Sequence, residues 1–88
     1  MVSKKMTVTN KIGFHALPIS LLLQVANKYG SRVILSKGKE HVDLNSIVSL
    51  LKLRVKCGDS IELKAEGPDE EMVIRELSDL IESKFGEE

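Results

Sequence analysis

The amino-acid sequence predicts a two-layer α+β fold in a single domain over residues 1–88. Segments of alternating apolar and polar residues take turns with segments whose apolar residues recur every three or four positions, in the order β-α-β-β-α-β-α. The predicted strands are polar on one face. We therefore expect a mostly antiparallel sheet with one face in water and the helices on the other. A chain of 88 residues can bury one small core.

The chain opens with a predicted strand over residues 2–9. Apolar and polar residues alternate there, as is typical of a strand with one buried face. The apolar positions are Val2, Met6 and Val8. Lys4 interrupts the pattern, and a loop over residues 10–15 follows.

A helix is predicted from Ala16 to about Tyr29. Pro18 is compatible with its first turn, where a missing N–H costs no hydrogen bond. The stripe expected to face the core is Ile19, Leu22, Leu23 and Ala26. Leu17 and Leu21 point almost opposite, on an otherwise polar face, which indicates an exposed apolar patch.

The middle of the chain predicts two short strands and a short helix. The strands cover residues 32–36 and 40–43, with turn residues between them. Asn45 and Ser46 are both good N-cap residues for a helix over 47–53. The residues expected to face the core are Leu44, Leu50 and Leu53. A second apolar patch remains, formed by Ile47, Val48 and Leu51.

The last part of the chain predicts a strand and a long helix. Residues 60–66 alternate, with Ile61, Leu63 and Ala65 inward. Gly67-Pro68-Asp69 then ends the strand and caps the final helix. The apolar residues at helical spacing in that helix are Met72, Val73, Ile74, Leu77, Leu80, Ile81 and Phe85.

Composition excludes several classes of function. With 13 basic and 13 acidic residues the net charge is zero, which argues against binding to nucleic acid or an anionic membrane. No apolar run approaches the roughly 20 residues of a membrane span. The single cysteine, Cys57, fits a reducing, cytoplasmic setting. His15 and His41 belong to no cluster of metal-ligand residues, so we expect neither a metal nor a cofactor. We read His41 as a surface residue.

The stretch Ile12-Gly13-Phe14-His15-Ala16-Leu17-Pro18 joins the first strand to the first helix. Glycine permits an unusual turn there. His15 then lies at a helix N-terminus, where free N–H groups and the helix dipole favour anions, above all phosphate. The N–H groups of Ala16 and Leu17 can donate to a phosphate, and a neutral imidazole is a good nucleophile. We predict that His15 carries a phosphoryl group.

These residues resemble the HPr family, the histidine-containing phosphocarrier proteins of the bacterial sugar phosphotransferase system. The resemblance is collinear over nearly the whole chain. It is carried by Gly13-Phe14-His15-Ala16-x-Pro18, the helix through Tyr29, Asn45-Ser46-Ile47, and Gly67 before the final helix. It implies an open-faced β-sandwich, with four antiparallel strands and three helices on one face.

The resemblance also implies a function. His15 would accept a phosphoryl group on Nδ1 from enzyme I, which takes it from phosphoenolpyruvate, and pass it to IIA domains of sugar transporters. The protein would be a cytoplasmic carrier and not an enzyme. Ser46 would be the site of a regulatory HPr kinase/phosphorylase, and the phosphoserine form would act on carbon catabolism through a transcriptional regulator.

The two apolar patches fit this function as one docking surface. It comprises Leu17, Ser20, Leu21, Gln24, Ile47, Val48 and Leu51. A phosphate on Ser46 would add about two negative charges inside that surface. Because an oligomer would hide the surface, we expect a monomer.

Leu17 departs from the family pattern, which usually has arginine at this position. Leucine supplies only a backbone N–H and cannot hold a phosphate bidentately. Ile12 is also less polar than usual. Two alternatives follow. Lys11 or a cation of the partner compensates and transfer continues. Otherwise the chain is an HPr-like regulatory binding module that does not serve sugar transport.

Overall fold

Strands and helices follow one another in the predicted order β-α-β-β-α-β-α. The structure, a computed structural model, describes residues 1–86. Its elements are β1 Val2–Thr7, α1 Ala16–Asn27, β2 Arg32–Lys37, β3 Glu40–Asp43, α2 Ile47–Leu53, β4 Ser60–Glu66 and α3 Glu70–Glu82. A single 3₁₀ turn, Lys84–Gly86, follows α3. Among the described residues, none of the helices has the length and apolar character needed to cross a bilayer.

The four strands form one antiparallel sheet in the order β1-β4-β2-β3. On β4, Ile61, Leu63 and Ala65 are buried, whereas Glu62 and Lys64 between them are only partly covered. The buried face carries the helices, because α3 packs on β1 and β4 while α2 packs on β3. The predicted α+β fold, with the sheet open to water on one face, is confirmed.

Lys4 interrupts the apolar face of β1 because its charge reaches solvent at the rim of the core. Its Nζ lies 3.4 Å from Oε2 of Glu82, at the end of α3. β1 is shorter than predicted and ends at Thr7. Val8 is nevertheless fully buried, as its place in the alternating pattern predicts.

The first helix buries a wider arc than predicted. Ile19, Leu22 and Ala26 are buried and Leu23 is half-buried, as expected. Leu21, however, is also half-buried and packs against the core, so its placement opposite the core was wrong. The reason is that α1 contacts both α2 and α3. A helix with neighbours on two flanks covers more of its circumference than one that lies on a sheet alone.

The second helix divides its apolar residues as predicted. The core-facing residues Leu44, Leu50 and Leu53 are buried. Ile47, Val48 and Leu51 remain exposed. The second apolar patch is therefore present in the structure.

Two residues of the final apolar series lie elsewhere than predicted. Met72 is 56% exposed, because it lies about 180° round the helix from Ile81, which is fully buried. Phe85 is buried, but it lies beyond α3, in the 3₁₀ turn, with φ 56°. Its ring therefore enters the core from the chain that follows the helix and not from the helix itself.

Asp69 occupies the N-cap position of α3, but its side chain does not cap that helix. Its carboxylate instead accepts the N–H of Gly30 at 2.9 Å. The predicted start of α3 after Gly67-Pro68-Asp69 is confirmed, while the Asp69 carboxylate joins α3 to the chain that follows α1.

Candidate functional site

His15 is the N-cap residue of α1. Its backbone is extended (φ −113°, ψ −169°), and its carbonyl oxygen accepts the N–H of Ile19 at 3.0 Å. Its half-buried side chain makes no capping hydrogen bond. The N–H groups of Ala16 and Leu17 have no acceptor within α1, and Pro18 has no N–H. Two backbone donors therefore begin the helix directly after the imidazole-bearing residue.

Gly13 allows the loop before His15 to lie against a distant part of the backbone. Its φ is +79°, and a Cβ here would lie 2.5 Å from the carbonyl oxygen of Val55 and 2.7 Å from Cα of Lys56. Any other residue would clash with backbone atoms that have little room to move. Asn10, fully buried, holds the turn from inside, since its Nδ2 donates to the Gly13 carbonyl at 2.7 Å.

Phe14 fixes the position of His15 from the other side. Its N–H donates to the carbonyl of Val55 at 3.0 Å. Its ring is buried edge-on against Phe85, with the ring centroids 5.6 Å apart and the planes at 86°. The residue before the histidine is thus held both by its backbone and by its side chain.

The chain between α2 and β4 is itself anchored, through Asp59. The carboxylate of Asp59 accepts the N–H of Lys56 at 2.8 Å and lies 3.0 Å from Nζ of Lys37. The Lys56 N–H and then the Lys37 ammonium hold the pKa of Asp59 below its usual value. The backbone against which Gly13 packs is therefore held in place by charge and hydrogen bonds.

Ser46 begins α2 as predicted. Its backbone is extended, and its Oγ accepts the N–H of Ser49 at 3.3 Å. The hydroxyl is half-buried. The predicted N-cap is confirmed, whereas phosphorylation of Ser46 stays a prediction.

The structure brings the two halves of the predicted docking surface side by side, because α1 packs against α2. Its four exposed apolar side chains are between 44% and 60% exposed; they are Leu17, Ile47, Val48 and Leu51. Gln24 is exposed, while Ser20 and Leu21 are half-buried. Ile12, in the loop before His15, adds another exposed apolar side chain.

His41 belongs to a separate part of the molecule. It is exposed on β3, as predicted, and its Nδ1 lies 2.6 Å from Oγ of Ser36 on β2. Within residues 1–86, no three histidine, cysteine or carboxylate side chains are grouped so that they could hold a metal ion.

The sequence-based interpretation missed the contribution of residues 54–59. This segment supplies the backbone that contacts Gly13 and Phe14. It carries no motif of its own. Its one local signal is the turn at Cys57-Gly58-Asp59, and that turn does not reveal where the segment packs.

Comparison with known proteins gives a consistent result. The family model described as "PTS HPr component phosphorylation site" matches residues 2–83. The phosphocarrier protein HPr of Treponema pallidum is 35% identical to this chain over 88 residues, and the alignment covers 100% of both chains. A crystal structure of HPr from Thermoanaerobacter tengcongensis is 43% identical, with a TM-score of 0.96, covering 100% of this chain and 99% of that one.

A second kind of relative is also similar. Crh of Bacillus subtilis, described as a catabolite repression protein whose crystal structure is a domain-swapped dimer, is 34% identical. The match has a TM-score of 0.76 and covers 96% of this chain and 97% of Crh.

Proposed function

Because the chain belongs to the HPr family of phosphocarrier proteins, we propose that His15 accepts a phosphoryl group on Nδ1 from enzyme I and passes it to IIA domains. The observation that carries this proposal is the position of His15 at the start of α1, next to the backbone donors of Ala16 and Leu17. A carrier in this relay works in the cytoplasm and has no turnover of its own.

The proposed step needs little covalent chemistry from the protein. The Nδ1 lone pair attacks phosphorus, an N–P bond forms, and the bond between phosphorus and the donor breaks, leaving its electron pair on the donor. Negative charge is spread over three phosphoryl oxygens during transfer. The N–H groups at the start of α1 would donate to those oxygens, and because the helix holds them in position they would need little reorganisation. The reverse sequence delivers the group to the next acceptor.

The docking surface would bring both partners to His15. Leu17 lies two residues after His15, and α1 packs against α2, which carries the other exposed apolar residues. A phosphate on Ser46 would place charge beside Ile47 and Val48 in the sequence. Partners that rely on an apolar contact would bind more weakly, and partners that offer basic residues would bind more tightly.

A second function is favoured by Leu17 and by the similarity to Crh. Without the arginine that the family usually has, the chain would serve as a regulatory binding module. It would dock through Leu21, Ile47, Val48 and Leu51 and would be switched by Ser46. The protein would then regulate carbon catabolism and would take no part in sugar transport.

Phosphorylation by enzyme I separates the two functions. The protein is incubated with phosphoenolpyruvate and enzyme I, and acid-labile phosphate is measured by intact mass. We expect one phosphoryl group on the wild type and on the control variant His41→Ala, and none on His15→Ala. A wild type that acquires no phosphate contradicts the carrier function.

HPr kinase with ATP tests Ser46 in the same way, and a phosphoserine that persists in Ser46→Ala removes this residue as the site.

The docking surface is tested with two exposed apolar residues of similar exposure. We expect Ile47→Glu to raise KM for enzyme I roughly tenfold, as charge in an apolar contact does. Met72→Glu on α3 is the matched control and should leave KM unchanged. Equal effects of the two variants would contradict the proposed surface.

Size-exclusion chromatography of the wild type tests the predicted monomer against a dimer.

A further inference from the structure

The proposed phosphohistidine site lacks a cation on α1. Leu17 occupies the position after His15-Ala16, and its side chain has no charge or hydrogen-bond donor. Two N–H groups alone would face a group that carries nearly two negative charges. A guanidinium from elsewhere in the chain would complete the site, because its planar fork matches phosphoryl oxygens.

The loop before α1 and the segment after α2 run antiparallel. Gly13 lies against Lys56, and the N–H of Phe14 donates to the carbonyl of Val55 at 3.0 Å. His15 follows Phe14 and Arg54 precedes Val55, so the contact between Phe14 and Val55 brings the histidine and the arginine into the same neighbourhood.

Burial of the side chains follows the same pairing. Phe14 and Val55 are opposite each other, and both are buried. The residues next to them, His15 and Arg54, are half-buried and exposed respectively. Both side chains can therefore reach solvent beside the buried contact of Phe14 with Val55.

The backbone of Arg54 is held in a conformation that few residues other than glycine adopt. Its φ of 55° and ψ of 50° are left-handed, and it ends α2 as the C-cap residue. Nζ of Lys37 donates to its carbonyl at 2.7 Å. The guanidinium forms no ion pair with any of residues 1–86. A glycine would adopt this conformation with less strain. Backbone conformation therefore does not explain the arginine at position 54, and its side chain must.

We infer that Arg54 supplies the cation that Leu17 cannot, by donating from its guanidinium to the phosphoryl oxygens on His15. This inference rests on the proposed phosphocarrier function. It replaces the earlier alternatives, Lys11 or a cation of the partner, with a residue that the fold brings beside the histidine. A purely structural alternative also exists, in which the charge of Arg54 only complements the C-terminal end of α2.

The experiment measures kcat/KM for phosphorylation by enzyme I in variants at position 54. We expect Arg54→Gln and Arg54→Gly to lower it roughly tenfold, the usual cost of losing a charged hydrogen bond. Arg54→Gly should unfold at the same or a higher temperature, because glycine adopts this φ without strain. Arg54→Lys should recover part of the rate. In the Arg54→Gln background, Leu17→Arg should restore the rate to near that of the wild type.

The matched controls are Lys11→Gln and Lys56→Gln, and both should stay within twofold of the wild type. A readout without any partner comes from ³¹P NMR of the purified phosphoprotein. Loss of the neighbouring guanidinium should move the second ionisation of the phosphoryl group to higher pH. A role confined to the α2 dipole would change the unfolding temperature and leave that titration unmoved.

Different results would overturn the phosphocarrier function and the role of Arg54. If the wild type acquires no phosphate, the phosphocarrier function fails and the role of Arg54 falls with it. If the wild type is phosphorylated and both Arg54→Gln and Arg54→Gly match its rate and its ³¹P titration, only the role of Arg54 is wrong. A tenfold loss in Lys11→Gln with none in Arg54→Gln likewise overturns it and assigns the cation to Lys11.

Discussion

The first and second helices begin in opposite ways. At α2, the N-cap residue Ser46 satisfies a backbone N–H with its own hydroxyl, at 3.3 Å from the nitrogen of Ser49. At α1, the N-cap residue His15 makes no such bond. The loop before it is held instead by Gly13 and Phe14, through contacts with a distant part of the backbone.

The difference shows what frees a helix end for chemistry. A helix whose N-cap side chain forms the cap needs serine, threonine, aspartate or asparagine there. A helix end positioned by the preceding loop can carry another residue, and its first N–H groups remain for a ligand. Non-local contacts at Gly13 thus release position 15 for an imidazole, whereas Ser46 has a structural role of its own.

The largest expected effect comes from breaking the contact that positions α1. Gly13→Ala would place a Cβ against the backbone of Val55 and Lys56. We expect a loss of about 2–4 kcal/mol in the free energy of unfolding. Gly38→Ala is the control, since its φ is also positive, at +60°, but a Cβ there meets nothing within 4 Å. It should cost about 1 kcal/mol. Urea unfolding measures both, and equal losses would show that backbone strain alone, without the contact, explains Gly13.

The cap of α2 should be weaker than the anchor of α1. Ser46→Ala removes the hydroxyl that accepts the Ser49 N–H, and we expect a loss of about 1 kcal/mol. Ser46→Asn, which keeps an acceptor, should stay close to the wild type in urea unfolding. A Ser46→Ala protein as stable as the wild type would mean that water satisfies this helix end equally well.

A cap added to α1 should stabilise the fold and abolish its proposed function. His15→Ser gives the first helix the kind of residue that begins the second, and the extended backbone at position 15 suits it. We expect a gain of about 0.5 kcal/mol in the free energy of unfolding, together with no phosphorylation by enzyme I. Comparison with His15→Ala isolates the hydroxyl. If the alanine variant is as stable as the serine variant, no cap has formed.

The smallest effect concerns the charge that anchors the segment opposite His15. The pKa of Asp59 is lowered in the folded state by the Lys56 N–H and by Lys37, so its stabilising contribution is present above its unfolded pKa of about 3.8. It is lost as the pH falls through the lower, folded value. Asp59→Asn should therefore reduce stability at neutral pH and flatten the acid limb of a plot of urea midpoint against pH. An unchanged acid limb would assign the acid sensitivity to other carboxylates.

The sequence predicts the residues of the site whose roles depend on their own turn or helix end. Gly13, His15, Pro18 and Ser46 are each recognised by what their own position in a turn or a helix end demands. The division of α2 into buried and exposed apolar residues also follows, because helical periodicity alone decides it. The resemblance then assigns phosphate chemistry to His15.

Other features depend on which segments meet. Leu21 is half-buried because α1 has a helix on two sides, and Phe85 reaches the core from a turn beyond α3. Asp69 leaves its own helix to bind the N–H of Gly30. The segments that Leu21, Phe85 and Asp69 contact are distant in the chain, whereas periodicity and capping patterns describe only a few consecutive residues.

By itself, the amino-acid sequence determined the order of the elements, the helix that begins at His15 and the apolar residues of α2 that stay exposed, because spacing and local backbone preference act over a few residues. Only the tertiary structure decided that Val55 and Lys56 lie against Gly13 and Phe14. That pairing joins segments that are distant in the chain, and it follows from how the helices pack on the sheet. It is also the contact on which the proposed role of Arg54 depends, at a histidine whose own helix supplies no cation.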